Sequence, residues 1–349
     1  MHHRSQLVRG VAVVAAVFAV GWPHGAAADG IGQDGKLFKA AQLAAVAASE
    51  VQVETELAVV FSASEGDPEA RREWEDQAPS SDEAIEAMRE QLRSLDRGAL
   101  DDAAKSSLSL VSRTSDSPRT ARSIVGGGVT DWPAALEVYE NISGSFVEAS
   151  SRLANSVTDP ELRDPAQSWS LAVQIETDVA RQRSRLTGVF TDNMFVRPDQ
   201  VADTATNDTS YENLVETVND EEAHVRTLDD IGDPQIVDRM RDALSGNDVA
   251  AADDIRQIAL DNPDSTDLDP EVAIWRVASG KKLQRIHDAQ VEVAGSILAR
   301  VGDGAGAADP GGGDEDRQWP LVAGGLVILL AAMAGAYLIG RRTTRPRPA

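Results

Sequence analysis

Three arginines, Arg181, Arg183 and Arg185, lie within five residues in a segment whose apolar residues recur with a helical period. Arg181 and Arg185 are one turn apart, whereas Arg183 points toward the side shared with Leu186 and Phe190. A guanidinium on the core-facing side needs an anionic partner, because burying its charge alone costs several kcal/mol. A carboxylate of the protein and a bound small anion both satisfy this need, and both alternatives stay open.

Lys282 is a second candidate, since it has the same relation to Leu283 and Ile286 in a later helical segment. Arg113 is a third. Basic residues are informative here because they are scarce: 33 Lys and Arg stand against 57 Asp and Glu, for a net charge of −24. The candidate anion-binding residues are therefore Arg183, Lys282 and Arg113.

The sequence lacks the residues and motifs of most other catalytic and binding sites. The chain has no cysteine, which excludes zinc-thiolate sites, iron–sulfur clusters and cysteine nucleophiles. Gly126 to Gly128 is not followed by the lysine of a phosphate-binding loop. His224 and His287, the histidines beyond residue 28, are expected at the surface or its boundary. We expect no enzyme activity, no cofactor and no metal.

Stripes of apolar residues at three- and four-residue steps predict helices along most of the chain, and no segment alternates as a strand does. We expect an all-α fold, an elongated antiparallel bundle of two stacked four-helix-bundle halves, plus one transmembrane helix. The pattern L-x-x-V-F occurs at residues 57–61 and 186–190, a weak sign of an internal repeat. Ser81 is expected to cap the start of the second helix.

The N-terminus predicts an export signal. Arg4 and Arg9 precede an apolar run, and small residues favour cleavage after Ala28. An uncleaved anchor is the alternative. The segments we expect are a signal peptide at 1–28, an extracytoplasmic helical domain at 29–301, a flexible acidic linker at 302–318, a transmembrane helix at 319–340 and a cytoplasmic tail at 341–349.

The uncharged run from Trp319 to Ile339 is long enough for a membrane helix, which needs about 20 apolar residues. Four arginines follow it and place the tail in the cytoplasm. A buried core helix is the alternative. The signal carries two positive charges and the tail four, so residues 29–318 carry −30. Such a surface repels nucleic acid, and we expect no nucleic-acid partner.

Several segments together resemble the nitrate- and nitrite-sensing (NIT) domain, a helical extracytoplasmic sensor of many bacterial histidine kinases. The resemblance spans about Leu37 to Leu298. Residues 52–61 fit the frame Q-x-E-R-G-L-S-A-x-Y/F, and residues 77–84 fit Q-R-x-x-T-D-x-A. Further matches are Arg113, Tyr139, residues 176–186 with their R-x-R, and Trp275 followed by Lys282 and Leu283.

The resemblance implies a sensor that binds nitrate or nitrite between arginines of facing helices, because a guanidinium fork suits a planar oxyanion. With nine residues after Gly340 we expect a separate kinase or regulator as signalling partner. Small residues four apart, such as Ala331 and Gly335, favour a homodimer through the membrane span. The alternative is a membrane-anchored structural or interaction module that has lost its ligand, since Thr55 and Ala78 replace two arginines of the family pattern.

Overall fold

The computed structural model of the protein describes residues 32–127, 131–193, 195, 210–265, 268 and 271–306. The described residues form ten α-helices and no strand, which confirms the predicted all-helical class. The helices are α1 Gln33–Ala63, α2 Pro68–Arg93, α3 Asp102–Thr114, α4 Ser117–Gly126, α5 Trp132–Asn155, α6 Pro160–Asp192, α7 Ser210–Ile231, α8 Pro234–Ala243, α9 Asn247–Asp261 and α10 Val272–Gly306.

Asp-Pro pairs begin three of these helices, α2, α6 and α8. Each proline occupies the first turn, where its missing N–H costs no hydrogen bond. The preceding Asp67, Asp159 and Asp233 accept hydrogen bonds from backbone N–H groups of the first turn. The sequence thus fixes where these helices start.

The expectation that Ser81 begins the second helix is wrong. Helix α2 already begins at Pro68, capped by Asp67, and continues through Pro79. Ser81 is fully buried, and its hydroxyl donates to the Glu50 carbonyl of α1 over 3.3 Å. Its role is to join two helices.

The helix order repeats. Helices α1 to α5 run long, long, short, short, long, and α6 to α10 do the same. In the first half, Arg122 of α4 bonds Glu54 of α1 and Asp82 of α2. In the second half, Arg256 of α9 correspondingly bonds side chains of α6 and α7. The described helices therefore fall into two similar sets of five, whereas the sequence predicted two four-helix halves.

Helices α1, α6 and α10 meet where the halves join. Ser49 and Glu56 of α1 contact Glu176 and Arg183 of α6 in the same order, so these two helices run parallel. One continuous hydrophobic core includes residues of both halves. The junction of α1, α6 and α10 is called the central seam below.

The predicted ends of the chain lie largely outside the described residues, including the signal peptide at 1–28, the transmembrane helix at 319–340 and the tail. Helix α10 continues to Gly306, so the linker expected from residue 302 is helical over its first five residues. Among the helices that the structure describes, none is long and apolar enough to span a bilayer.

Candidate functional site

Buried hydrogen-bond donors without acceptors mark the interior. In the described part of the chain, four buried side-chain nitrogens lack a partner: Gln52 Nε2, Trp169 Nε1, Arg181 Nε and Arg183 Nε. No buried side-chain oxygen there is left unpaired. Since an unpaired buried polar group costs about 1–3 kcal/mol, this interior favours an added acceptor.

Arg183 lies in the central seam and is only 4% exposed. Its Nη2 forms an ion pair with Glu56 Oε2 of α1 at 2.9 Å. Arg276 of α10 donates through Nε to the other oxygen, Glu56 Oε1, over 2.8 Å. The Trp275 indole donates to the Arg183 carbonyl over 3.2 Å and holds α10 against α6. Two guanidinium groups from different helices thus converge on one carboxylate.

The charges of this cluster are strongly coupled. Burial alone raises the pKa of Glu56, but the Arg183 and Arg276 guanidinium groups outweigh it, so the net shift is downward. Burial lowers the pKa of Arg183, an effect that Glu56 opposes. Burial raises the pKa of the half-buried Glu73 of α2, an effect that Arg276 opposes and the Glu56 carboxylate strengthens. Glu56 is therefore ionised and held between two cations.

Lys282 occupies a second buried cluster. Its ammonium donates to Glu221 over 2.7 Å and to Asp253 over 2.9 Å. Arg256 bonds the other Glu221 oxygen over 2.6 Å. Two cations and two carboxylates balance, and Lys282 and Arg256 hold down the pKa of Glu221 against its burial. In this cluster two cations contact two carboxylates, whereas Arg183 and Arg276 both contact the single carboxylate of Glu56.

The structure places Arg113 elsewhere. It is exposed on α3, and its guanidinium donates to Ser109 of the same helix over 2.7 Å. No contact among the described residues joins it to Arg183 or Lys282. Its assignment as an anion ligand stays a prediction.

Two positions at which the family pattern has arginine carry no charge. Thr55 is buried and its hydroxyl donates to the Val51 carbonyl of its own helix over 2.7 Å. The Ala78 carbonyl accepts from Arg122 Nη2 over 3.2 Å. Neither residue supplies a charged donor to an anion, and the two guanidinium groups that meet at Glu56 are those of Arg183 and Arg276.

A second feature of the central seam is a small cavity of about 20 Å³, room for one water. Trp169, Glu176 and His287 line it, and Glu176 accepts from Ser49 over 3.3 Å. His287 Nδ1 lies 3.1 Å from Glu176 Oε1. Both histidines expected at the boundary thus have buried acidic partners, His224 with Asp178 over 2.7 Å. Among the described residues, no group of three or more acidic or histidine side chains is arranged to hold a metal.

Sequence reasoning missed Arg276 and Glu56. The only available signal was Arg276 directly after Trp275, a residue that the resemblance had already singled out. Glu56 could not be distinguished from the many other acids, because its partners lie far away in the chain.

Comparison with known protein families identifies the family of this chain. The model of the family described as nitrate and nitrite sensing matches residues 47–298, more than half of the chain. The chain belongs to the nitrate and nitrite sensing family. A similar solved structure is that of the NasR transcription antiterminator, with a TM-score of 0.67 and 14% identity over 80% of this chain and 71% of that chain. This likeness shows a shared fold, and no curated protein matches the sequence.

Proposed function

We propose that the helical domain binds a small planar oxyanion, nitrate or nitrite, at Arg183 and Arg276. The supporting observation is that two buried guanidinium groups converge on one position in the central seam, with Arg183 Nε still unpaired. Guanidinium groups bind planar oxyanions through parallel charge-assisted hydrogen bonds. Lys282, which is paired with Glu221 and Asp253, and Arg113 remain proposed anion-binding residues, and Arg113 is the weakest of the set.

Isothermal titration calorimetry of the full-length chain in mild detergent tests this proposal. Nitrate and nitrite should release or absorb heat, and chloride, which is spherical, should bind less well. Arg183→Met should weaken nitrate binding about 10- to 100-fold, the value of one or two charge-assisted hydrogen bonds. Arg185→Met is the matched control, because Arg185 lies two residues away and pairs with Glu140. Equal nitrate affinity in wild type and Arg183→Met would overturn the proposal.

We further propose that the domain lies outside the membrane and is anchored by a helix at residues 319–340. It signals through a separate kinase or regulator, and it assembles as a homodimer or with that partner. Protease added to intact cells should cleave the domain and spare the tail. Crosslinking in membranes should capture a second copy or a regulator. Protection of residues 32–306 in intact cells would contradict the assigned location. Because the chain is strongly acidic, we propose no nucleic-acid partner for it.

A structural or interaction module without ligand is the second candidate. It is favoured by Thr55 and Ala78, which carry no charge, and by Glu56, which already neutralises one guanidinium. This candidate predicts no heat with nitrate or nitrite at millimolar concentration, together with a crosslinked partner in membranes. The same titration therefore separates the two candidates.

A further inference from the structure

Glu56 holds the donors that a planar oxyanion would use. One carboxylate oxygen is ion-paired with Arg183 Nη2 and the other accepts a hydrogen bond from Arg276 Nε, and the side chains of Arg183 and Glu56 are at most 5% exposed. A carboxylate resembles nitrate and nitrite in being planar, with its negative charge shared among oxygens. Glu56 is thus placed as an internal substitute for a free anion.

We propose that Glu56 is an internal competitor at the anion site: an arriving oxyanion replaces its carboxylate on Arg183 and Arg276, and the displaced Glu56 takes up one proton from solvent. This inference rests on the proposed function and adds its regulation. The exchange balances, since one anion enters, one carboxylate becomes a carboxylic acid, and the charge of the cluster is unchanged.

The hydrogen-bond donors left free by Glu56 favour displacement of its carboxylate over binding of an anion beside it. With Glu56 in place, Arg183 has its Nε unpaired, while Arg183 Nη2 and Arg276 Nε are both engaged. Bidentate binding of an oxyanion needs parallel donors of a guanidinium fork. An anion that also bridges both arginines must take the place of the carboxylate.

The charged groups around Glu56 explain why its carboxylate takes up a proton when it is displaced. Three charged groups act on it or beside it: Arg183 from α6, Arg276 from α10 and Glu73 from α2. The two guanidinium groups alone oppose the effect of burial, which raises the pKa of Glu56. Once these groups bind another anion, burial and the like charge of Glu73 both favour the protonated acid. A buried carboxylate without a cation protonates because its ionised form is too costly.

The exchange also changes how the halves are joined. Glu56 belongs to α1 of the first half, while Arg183 and Arg276 belong to α6 and α10 of the second. One carboxylate ties all three helices through an ion pair with Arg183 and a hydrogen bond from Arg276. A free anion bridges α6 and α10 and leaves α1 without this link, which gives the sensor a physical difference between its two states.

Calorimetry of the full-length chain with nitrate, repeated in two buffers of different ionisation enthalpy at the same pH, measures the linked proton. Wild type should take up about one proton per nitrate, and its affinity should rise about tenfold for each pH unit of acidification near neutrality. Glu56→Gln should bind nitrate at least about tenfold more tightly, with no proton uptake. Glu54→Gln is the matched control, because Glu54 is a buried acid of the same helix that pairs with Arg122. It should keep wild-type affinity and proton uptake.

The outcomes separate this inference from the proposed function. Nitrate binding to wild type without proton uptake, or Glu56→Gln binding no more tightly than wild type, overturns the competitor role and leaves the anion site intact. Binding by Glu56→Gln alone supports the competitor and rejects nitrate sensing by the wild-type chain. Binding by neither protein rejects both.

Discussion

The Glu56 carboxylate of α1 lies 2.9 Å from the Arg183 guanidinium of α6, and this contact joins the two halves of the domain. Both residues are 4% exposed, so little solvent screens their charges. A buried pair is weak evidence of net stability, because removing two charges from water is costly. Loss of one partner, by contrast, is strongly destabilising, and several measurable effects follow.

Acid should destabilise the domain through Glu56. Its pKa is lowered in the folded state, so its contribution to stability is present above the unfolded value of about 4.3 and is lost as pH falls below it. The urea midpoint of wild type should drop between pH 5 and 3. Glu56→Gln should show a shallower drop over about the same range. Parallel curves for the two proteins would contradict this prediction.

Lys282→Met should lower the free energy of unfolding by about 3–5 kcal/mol, because it leaves the buried Glu221 without one of its cations. Lys281→Met is the matched control: the Lys281 ammonium is paired with Asp248 at the exposed surface. The control should change stability by less than about 1 kcal/mol. Urea denaturation of both variants measures the difference, and equal losses would reject the buried cluster.

Alkali should destabilise the domain through its two paired histidines. The hydrogen bond to Asp178 raises the pKa of His224, and the Glu176 carboxylate raises that of His287 in spite of its burial. A raised pKa gives stability that is complete below about 6.5 and is lost as pH rises through the folded value. The urea midpoint should therefore fall from pH 6 to pH 9, and less so in the His224→Gln, His287→Gln double variant. A wild-type midpoint that stays level over this window would refute the assignment.

Gly188 should not tolerate a side chain. A Cβ there would meet the Trp132 ring at 2.5 Å, too close for van der Waals contact between α5 and α6. Gly188→Ala should cost about 1–3 kcal/mol through overpacking. Gly295→Ala is the control, since nothing lies within 4 Å of its Cβ position, and the better helix propensity of alanine should add up to about 1 kcal/mol. Thermal unfolding should move the two variants in opposite directions.

Tyr139 links the aromatic and ionic parts of the first half. Its hydroxyl donates to Glu54 over 2.7 Å and accepts from the Trp74 indole over 3.1 Å. Tyr139→Phe leaves that indole without an acceptor and should cost about 1–3 kcal/mol. Tyr211→Phe, which loses one bond to the Leu260 carbonyl, should cost less. Burial and Glu54 raise the pKa of Tyr139, so its phenol should resist ionisation in an alkaline absorbance titration.

Local signals predicted much of this fold. Helical periodicity located the long helices and placed Arg183 and Lys282 toward the core, because spacing along one helix determines which side a residue faces. The start of α2 differs from the prediction because Asp67 caps the helix at Pro68, and the helix continues through Pro79 past Ser81. The signal peptide and the transmembrane helix predicted at the two ends of the chain lie outside the described residues.

The partners of the buried cations could not be predicted. Arg276 bonds Glu56 across 220 residues of sequence, and nothing in a single chain selects this acid among 57. Whether Arg183 meets a carboxylate or a free anion depends on such long-range packing. Sequence alone therefore identified the cation that needs a partner, and the three-dimensional structure supplied the partner.

Unpaired buried N–H groups make the interior of the domain rich in hydrogen-bond donors. The chain as a whole is strongly acidic, with a net charge of −24. Any anion approaching the domain is repelled at long range before short-range hydrogen bonds can attract it. At 0.15 M ionic strength this repulsion fades beyond about 8 Å, and in dilute solution it extends much further. We therefore expect a higher salt concentration to speed the approach of an anion to this acidic domain.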